Sequence, residues 1–166
     1  MTLVWQDARR SAKNVRDKYW DGKYPVKVSE ISRKMGVMTY RATLPGGLSG
    51  MIIKEKGSEP RSYADADEPD VRRRFTFAHE LGHYVERTTL ANDNDFAFKD
   101  GRSEKYDLHE FYADEFAGAL LMPEDDFLKM QQEGKSLVDM AAKFGVSLSA
   151  VRKRRERLEK DKPESR

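Results

Sequence analysis

Arg74-Phe75-Thr76-Phe77-Ala78-His79-Glu80-Leu81-Gly82-His83 is the stretch on which the reading of this chain turns. Phe75, Ala78, Leu81, Gly82 and Val85 recur at i, i+3 and i+4 spacing, which predicts an amphipathic helix with one apolar stripe. On a helix, side chains four apart lie about 6 Å from each other on one face, so both imidazoles can reach a single ion at about 2.0–2.1 Å. Glu80, about 100° round the helix, is near enough to take a proton from a water polarised by that ion. The His79-Glu80-Leu81-Gly82-His83 pattern therefore predicts a hydrolytic zinc site with Glu80 as general base.

Such a site needs a third protein ligand and one position left open for water. With no cysteine in 166 residues, thiolates and disulfides are excluded, and the third ligand must be another histidine or an acid. His109 and Glu110 compete, on a helix expected over residues 106–121. Glu110 shares its face with Ala113, Asp114, Ala117 and Gly118, small residues that would let this helix approach the first one closely at Gly82. Packing thus favours Glu110, with His109 as the alternative. Asp114, one turn on, is placed to accept the free N–H of a zinc histidine, His79 first, and fix its tautomer. A salt bridge to Arg72, Arg73 or Arg74 is the other use for it. Tyr84, Tyr106 and Tyr112 lie near these motifs, and none is assigned as an oxyanion donor.

Outward from these helices, Leu3 to Trp20 carries Val4, Ala8, Ala12, Val15 and Tyr19 at helical spacing, and Val28, Ile31 and Met35 mark a shorter helix stopped by Gly36. Residues 37–44, 51–54 and, more weakly, 61–64 read as strands of a small antiparallel sheet, the first two separated by Pro45-Gly46-Gly47. Asp70 is expected to cap the helix that begins near Val71. A polar loop is expected from Thr88 to Glu104, and Met122-Pro123 stops the second site helix. The class is α+β and mostly helical.

Charged residues are 36% of the chain but nearly balance at +2, so global attraction to nucleic acid or an anionic membrane is weak. No apolar run approaches the roughly 20 residues that span a bilayer, and Met1 to Arg10 lacks the apolar stretch of a signal peptide. The cytosol is the expected compartment, with no membrane partner.

Arg74 to His83, together with Glu110-Phe111-Tyr112-Ala113-Asp114-Glu115-Phe116-Ala117 and Leu120-Leu121-Met122-Pro123, resembles the ImmA/IrrE metallopeptidases, which are HExxH zinc enzymes of gluzincin-like type. The likeness extends more loosely over residues 25–36, 44–53 and 141–158. It implies a zincin-like metallopeptidase domain over residues 1–131, with one zinc ion per chain held by His79, His83 and Glu110; manganese or another divalent ion could replace zinc in the cell. Glu110 falls where the family's ExxAN segment opens, and Asp114 stands where the family usually has asparagine. The resulting Glu-x-x-x-Asp looks like the pattern of thermolysin-type enzymes, whose aspartate orients a zinc histidine. The resemblance also implies the substrate: a helix-turn-helix transcriptional repressor, cleaved or inactivated to release genes of a phage, mobile element, toxin–antitoxin pair or stress response.

Residues 132–166 are expected to form a helical subdomain packed on the first. Met140 to Ser147, followed by Ala150, Val151 and a basic run, has the rhythm of a helix-turn-helix with Gly145 at the turn. A DNA reader would present Ser147, Ser149, Arg152 and Lys153 to the groove. A hairpin that packs on the catalytic domain or docks the repressor fits the same pattern. The rival functions are accordingly a DNA-binding regulator with a non-proteolytic zinc site, and a protein that sequesters its repressor without cutting it.

Overall fold

The computed structural model describes residues 2–101 and 106–160. Its elements in chain order are α1 (Val4–Tyr19), α2 (Val28–Lys34), β1 (Met38–Ala42), β2 (Leu48–Lys54), β3 (Arg61–Asp65), α3 (Asp70–Val85), β4 (Phe96–Gly101), α4 (Leu108–Leu121), α5 (Glu124–Gln132), α6 (Leu137–Phe144) and α7 (Leu148–Lys160). The fold is α+β and mostly helical, as the sequence predicts. Among the described residues no helix is long and apolar enough to cross a membrane.

The centre of the molecule is α4. Tyr112, Ala113 and the unbroken run from Glu115 to Leu121 are buried, so this helix is covered on nearly every side. α1 lies against it through Ala8, Ala12 and Val15, all buried, and α3 packs on its other side. Small residues at these seams bring the helix axes close. A Cβ on Gly82 of α3 would sit 3.0 Å from the Ala113 Cα and 3.2 Å from the Phe116 Cβ.

The sheet is mixed, with strand order β1-β3-β2-β4, and corrects the expectation of an antiparallel one. β1 and β2 do not form a hairpin across Pro45-Gly46-Gly47. Instead β3 inserts between them, parallel to β1 and antiparallel to β2. The reason lies in side-chain size and exposure. Ser62 and Ala64 of β3 pair with Ile52 and Gly50 of β2, and all four are buried on the face that receives α3. Tyr40 and Arg41 of β1 are exposed, which suits an edge.

Two local expectations also change. Asp70 is the first residue of α3 rather than its cap; Pro69 holds the cap position and provides no side-chain hydrogen bond. Asp70 still sits where the positive end of the helix dipole favours an acid. Beyond Val85 the helix widens into one π-type turn, Glu86–Leu90. The polar loop expected over residues 88–104 then contains a whole strand, β4, antiparallel to β2.

The C-terminal helices pack on this body through polar contacts as well as apolar ones. Phe144 of α6 stacks on Phe127, and Arg74 of α3 donates to the Gly145 carbonyl at 3.0 Å, closing the end of α6. Arg154 of α7 is buried and donates to the Met122 carbonyl at 3.2 Å. Glu115 of α4, also buried, meets Arg9 of α1 at 2.6 Å and Arg157 of α7 at 2.7 Å. The helical subdomain expected over residues 132–166 extends past Lys160 into residues 161–166, which lie outside the described residues.

Candidate metal centre

His79 and His83 point from one face of α3 toward α4, as their spacing requires. His79 Nε2 lies 3.2 Å from Glu110 Oε1, and His83 Nε2 lies 2.7 Å from Glu110 Oε2. The Glu110 carboxylate thus straddles the two imidazoles. Asp107 caps α4 by accepting the Glu110 N–H at 2.9 Å, which fixes the turn from which that carboxylate projects. His109, the competing residue, faces elsewhere: its Nδ1 is 2.7 Å from Glu86 Oε1.

Asp114 stands one turn along α4 with Oδ1 2.8 Å from His79 Nδ1. With the proton on Nδ1, the Nε2 lone pair is free to bind a cation beside Glu110. Tyr106 donates to Asp114 Oδ2 at 3.0 Å, and Lys153 Nζ lies 3.3 Å from the same oxygen. The sequence marks Tyr106 only as a neighbour of the motifs and Lys153 only as a residue a DNA reader would present; their meeting at Asp114 is a tertiary contact between residues far apart in the chain. Arg72, Arg73 and Arg74, the other partners considered for Asp114, are turned to Glu68, Asp70 and the Gly145 carbonyl.

The residue that sequence reasoning missed is Asp100. Its Oδ2 lies 3.4 Å from His79 Nε2 and 3.3 Å from His83 Nε2. Ligand atoms of His79, Glu80, His83 and Asp100 all lie within 4.8 Å of one another, a group able to hold a metal ion. Phe96, Phe98 and Asp100 share one face of β4, and Phe98 stacks flat on the His83 ring with centroids 4.0 Å apart. That period-two alternation, Phe96-Ala97-Phe98-Lys99-Asp100, was the available signal.

The donor set suits a cation. His83 Nε2, Asp100 Oδ2 and both carboxylate oxygens of Glu80 are buried without a hydrogen-bond partner. Leaving one such atom unmatched costs about 1–3 kcal/mol, so several converging on one point call for a compensating positive charge. In the metal-free protein, burial raises the Glu80 carboxyl well above the usual carboxylate range, and the Asp100 charge beside it adds to the effect. Burial opposes the charged forms of His79 and Asp114, yet Asp100, Asp114 and Glu110 hold the His79 imidazole well up, and His79 and Lys153 hold Asp114 down.

The cluster opens onto a cleft of about 400 Å³. Val71, Phe75, Thr76 and His79 of α3 form one wall, and Ser147, Ser149, Ala150 and Lys153, at the start of α7, form another. Three of the four residues that a DNA reader would present are therefore turned into the cleft. Ser147 also accepts the Ala150 N–H at 3.1 Å and so starts α7.

Among solved structures, a Mycobacterium tuberculosis transcriptional regulator is similar, with a TM-score of 0.62 and 17% sequence identity. The likeness covers 88% of this chain and 45% of that one, so the chain spans less than half of that protein's length; at this identity the likeness is one of fold. No curated protein matches the sequence. The sequence does match the peptidase M78 family, described as the IrrE N-terminal-like domain, over residues 62–156, a span that holds α3, β4, α4 and most of the C-terminal helices. The chain belongs to the M78 metallopeptidase family, and His79, Glu80 and His83 of α3 with Asp100 of β4 form a group able to hold a metal ion.

Proposed function

We propose that this chain is a zinc-dependent endopeptidase of the cytosol that cleaves a helix-turn-helix repressor and so relieves repression of a phage, mobile-element, toxin–antitoxin or stress regulon. The observation that carries the reading is the convergence of His79, His83 and Glu110 beside a buried Glu80, at the floor of a cleft. A zinc ion held by these three side chains would supply a Lewis acid that polarises both water and the scissile carbonyl.

The remaining work falls to the protein. Glu80, buried beside the two imidazoles, accepts the proton of the attacking water. As the new C–O bond forms and the C–N bond breaks, Glu80 returns that proton to the departing amine nitrogen. Asp114 keeps His79 in the tautomer that leaves Nε2 free. The start of α7, lining the cleft, gives the repressor a surface to dock on, which favours the substrate-docking use of the hairpin over direct DNA reading.

The test is to incubate the zinc-loaded chain, and Glu80→Gln, with the helix-turn-helix repressor encoded beside its gene and to follow fragments by intact mass spectrometry. Cleavage at one bond by the native chain alone supports the peptidase and the base together. Relief of repression by both proteins without fragments would make the chain a sequestering protein. Specific operator binding by the chain itself, with steep salt dependence, would make it a DNA-binding regulator.

A further inference from the structure

Four side chains, not three, approach one another here: His79, His83, Glu110 and Asp100. A tetrahedral ion with bonds of about 2.0–2.1 Å has ligand atoms about 3.3–3.4 Å apart. Asp100 Oδ2 meets that spacing to both imidazoles, at 3.4 Å from His79 Nε2 and 3.3 Å from His83 Nε2; Glu110 Oε1 lies 3.2 Å from the first, and its Oε2 is nearer to the second, at 2.7 Å. Asp100 Oδ2 and His83 Nε2 are both buried, and neither forms a well-aligned hydrogen bond in the metal-free protein. Their spacing is that of two donors able to share a cation.

The strand is shaped to deliver this carboxylate. Asp100 pairs with Gly50 of β2, where the β2–β4 register breaks between Leu48 and Gly50. Irregularities of this kind re-aim a side chain next to a site. Gly50 offers no side chain of its own there, and a Cβ on it would sit 2.3 Å from the Thr76 Cγ2 of α3. Phe98, two residues earlier on the same face, is stacked on His83 and sets the height of the strand above α3.

We propose that Asp100 is a fourth protein ligand, closing the resting site around the metal so that catalysis requires β4 to withdraw Asp100 and free the position that water needs. The proposal rests on the peptidase reading above and adds its regulation. Zinc sites with four protein ligands are characteristically structural, whereas catalytic ones keep a position open. β4 is an edge strand with β2 as its neighbour, so it can move off the site by breaking one ladder and leaving His79, His83 and Glu110 in place. Withdrawal turns the closed set into the open one.

Cobalt(II) in place of zinc reads the coordination directly. The native chain should give a visible absorption spectrum that azide leaves unchanged, because no position is free. Asp100→Ala should keep one cobalt per chain, bind it at least tenfold more weakly in chelator competition, shift the spectrum and respond to azide. Asp100→Asn, which preserves shape in case the alanine variant does not fold, should show a smaller shift in the same direction. An unchanged spectrum and azide response in a folded Asp100→Ala chain overturns the proposal, as does azide binding to the native chain. Zinc-loaded Asp100→Ala should also cut the repressor at least tenfold faster than the native chain. If it gains azide binding but yields no fragments, the ligand assignment stands and the peptidase reading falls.

Discussion

Replacing Gly82 by alanine sets two effects of known size against each other at the point where α3 and α4 touch. Alanine in place of a mid-helix glycine stabilises a helix by about 1 kcal/mol. The new methyl group, however, would lie 3.0 Å from the Ala113 Cα and 3.2 Å from both the Ala113 carbonyl oxygen and the Phe116 Cβ. Comfortable carbon–carbon contact is about 3.5–4.0 Å, so the helices must part by roughly 0.5 Å. Two of the three contacts are backbone atoms of a buried helix, which cannot rotate away, and overpacking of this sort costs about 1–3 kcal/mol. The cost exceeds the gain, and the metal-free protein should lose about 1 kcal/mol in urea denaturation. The larger effect is on the ion. His83 is the next residue along α3, and Glu110 lies one turn before Ala113 on α4, so parting the helices moves these ligands apart. A shift of about 0.5 Å exceeds the tolerance of about 0.2 Å on metal–ligand distances, and zinc affinity, measured by chelator competition, should fall at least tenfold. A Gly82→Ala protein that is more stable than the native one and binds zinc equally well would refute the claim that this contact sets the site geometry.

Three further outcomes follow from the same geometry. Asp114→Ala removes the acceptor 2.8 Å from His79 Nδ1, so zinc affinity should fall about 10–100-fold while the chain stays folded; equal affinity would show that His79 needs no orienting partner. Glu115→Gln leaves Arg9, Arg154 and Arg157 around a neutral buried side chain, which should cost about 3–5 kcal/mol in urea denaturation, and a loss under about 1 kcal/mol would sink the reading of Glu115 as the clasp of α1, α4 and α7. In chelator-treated protein the His79–Asp114 pair should stabilise most in mildly acidic solution. The Asp114 pKa is depressed, so its share is present above the unfolded value of about 4 and is lost as pH falls. The His79 pKa is raised, so its share is full below the unfolded value of about 6.5 and is lost as pH rises through the folded one. The stability difference between the native chain and Asp114→Asn should therefore form a bell over pH, and a flat difference would contradict it.

The parts of this molecule that could be read from sequence are those in which a local pattern fixes the partner. His79 and His83 are four apart on one helix, so their convergence needs no knowledge of the rest of the chain. The run of small residues after Glu110 identifies which face of α4 meets α3, because only small side chains permit an approach like that at Gly82. The sheet was less legible. Arg61 to Ala64 has weak strand character, yet β3 takes a central position because Ser62 and Ala64 leave room for α3, a tertiary reason that no propensity contains.

Asp100 shows how a polar composition hides a strand. From Asn92 to Lys105 there are seven acidic or basic residues, and such a stretch reads as a loop by composition. Only the alternation of Phe96 and Phe98 with Ala97 and Lys99 marks β4, and it gains its meaning from His83, on which Phe98 lies flat. α7 poses the opposite problem. Its helix-turn-helix rhythm was visible, but the same rhythm serves a DNA reader and a packed hairpin equally well. The placement of the helix depends on charges far away in sequence: Glu115 pairs with Arg157, and Asp114 with Lys153. With those two pairs formed, Ser147 and Ser149 line the same cleft as His79 and Glu110.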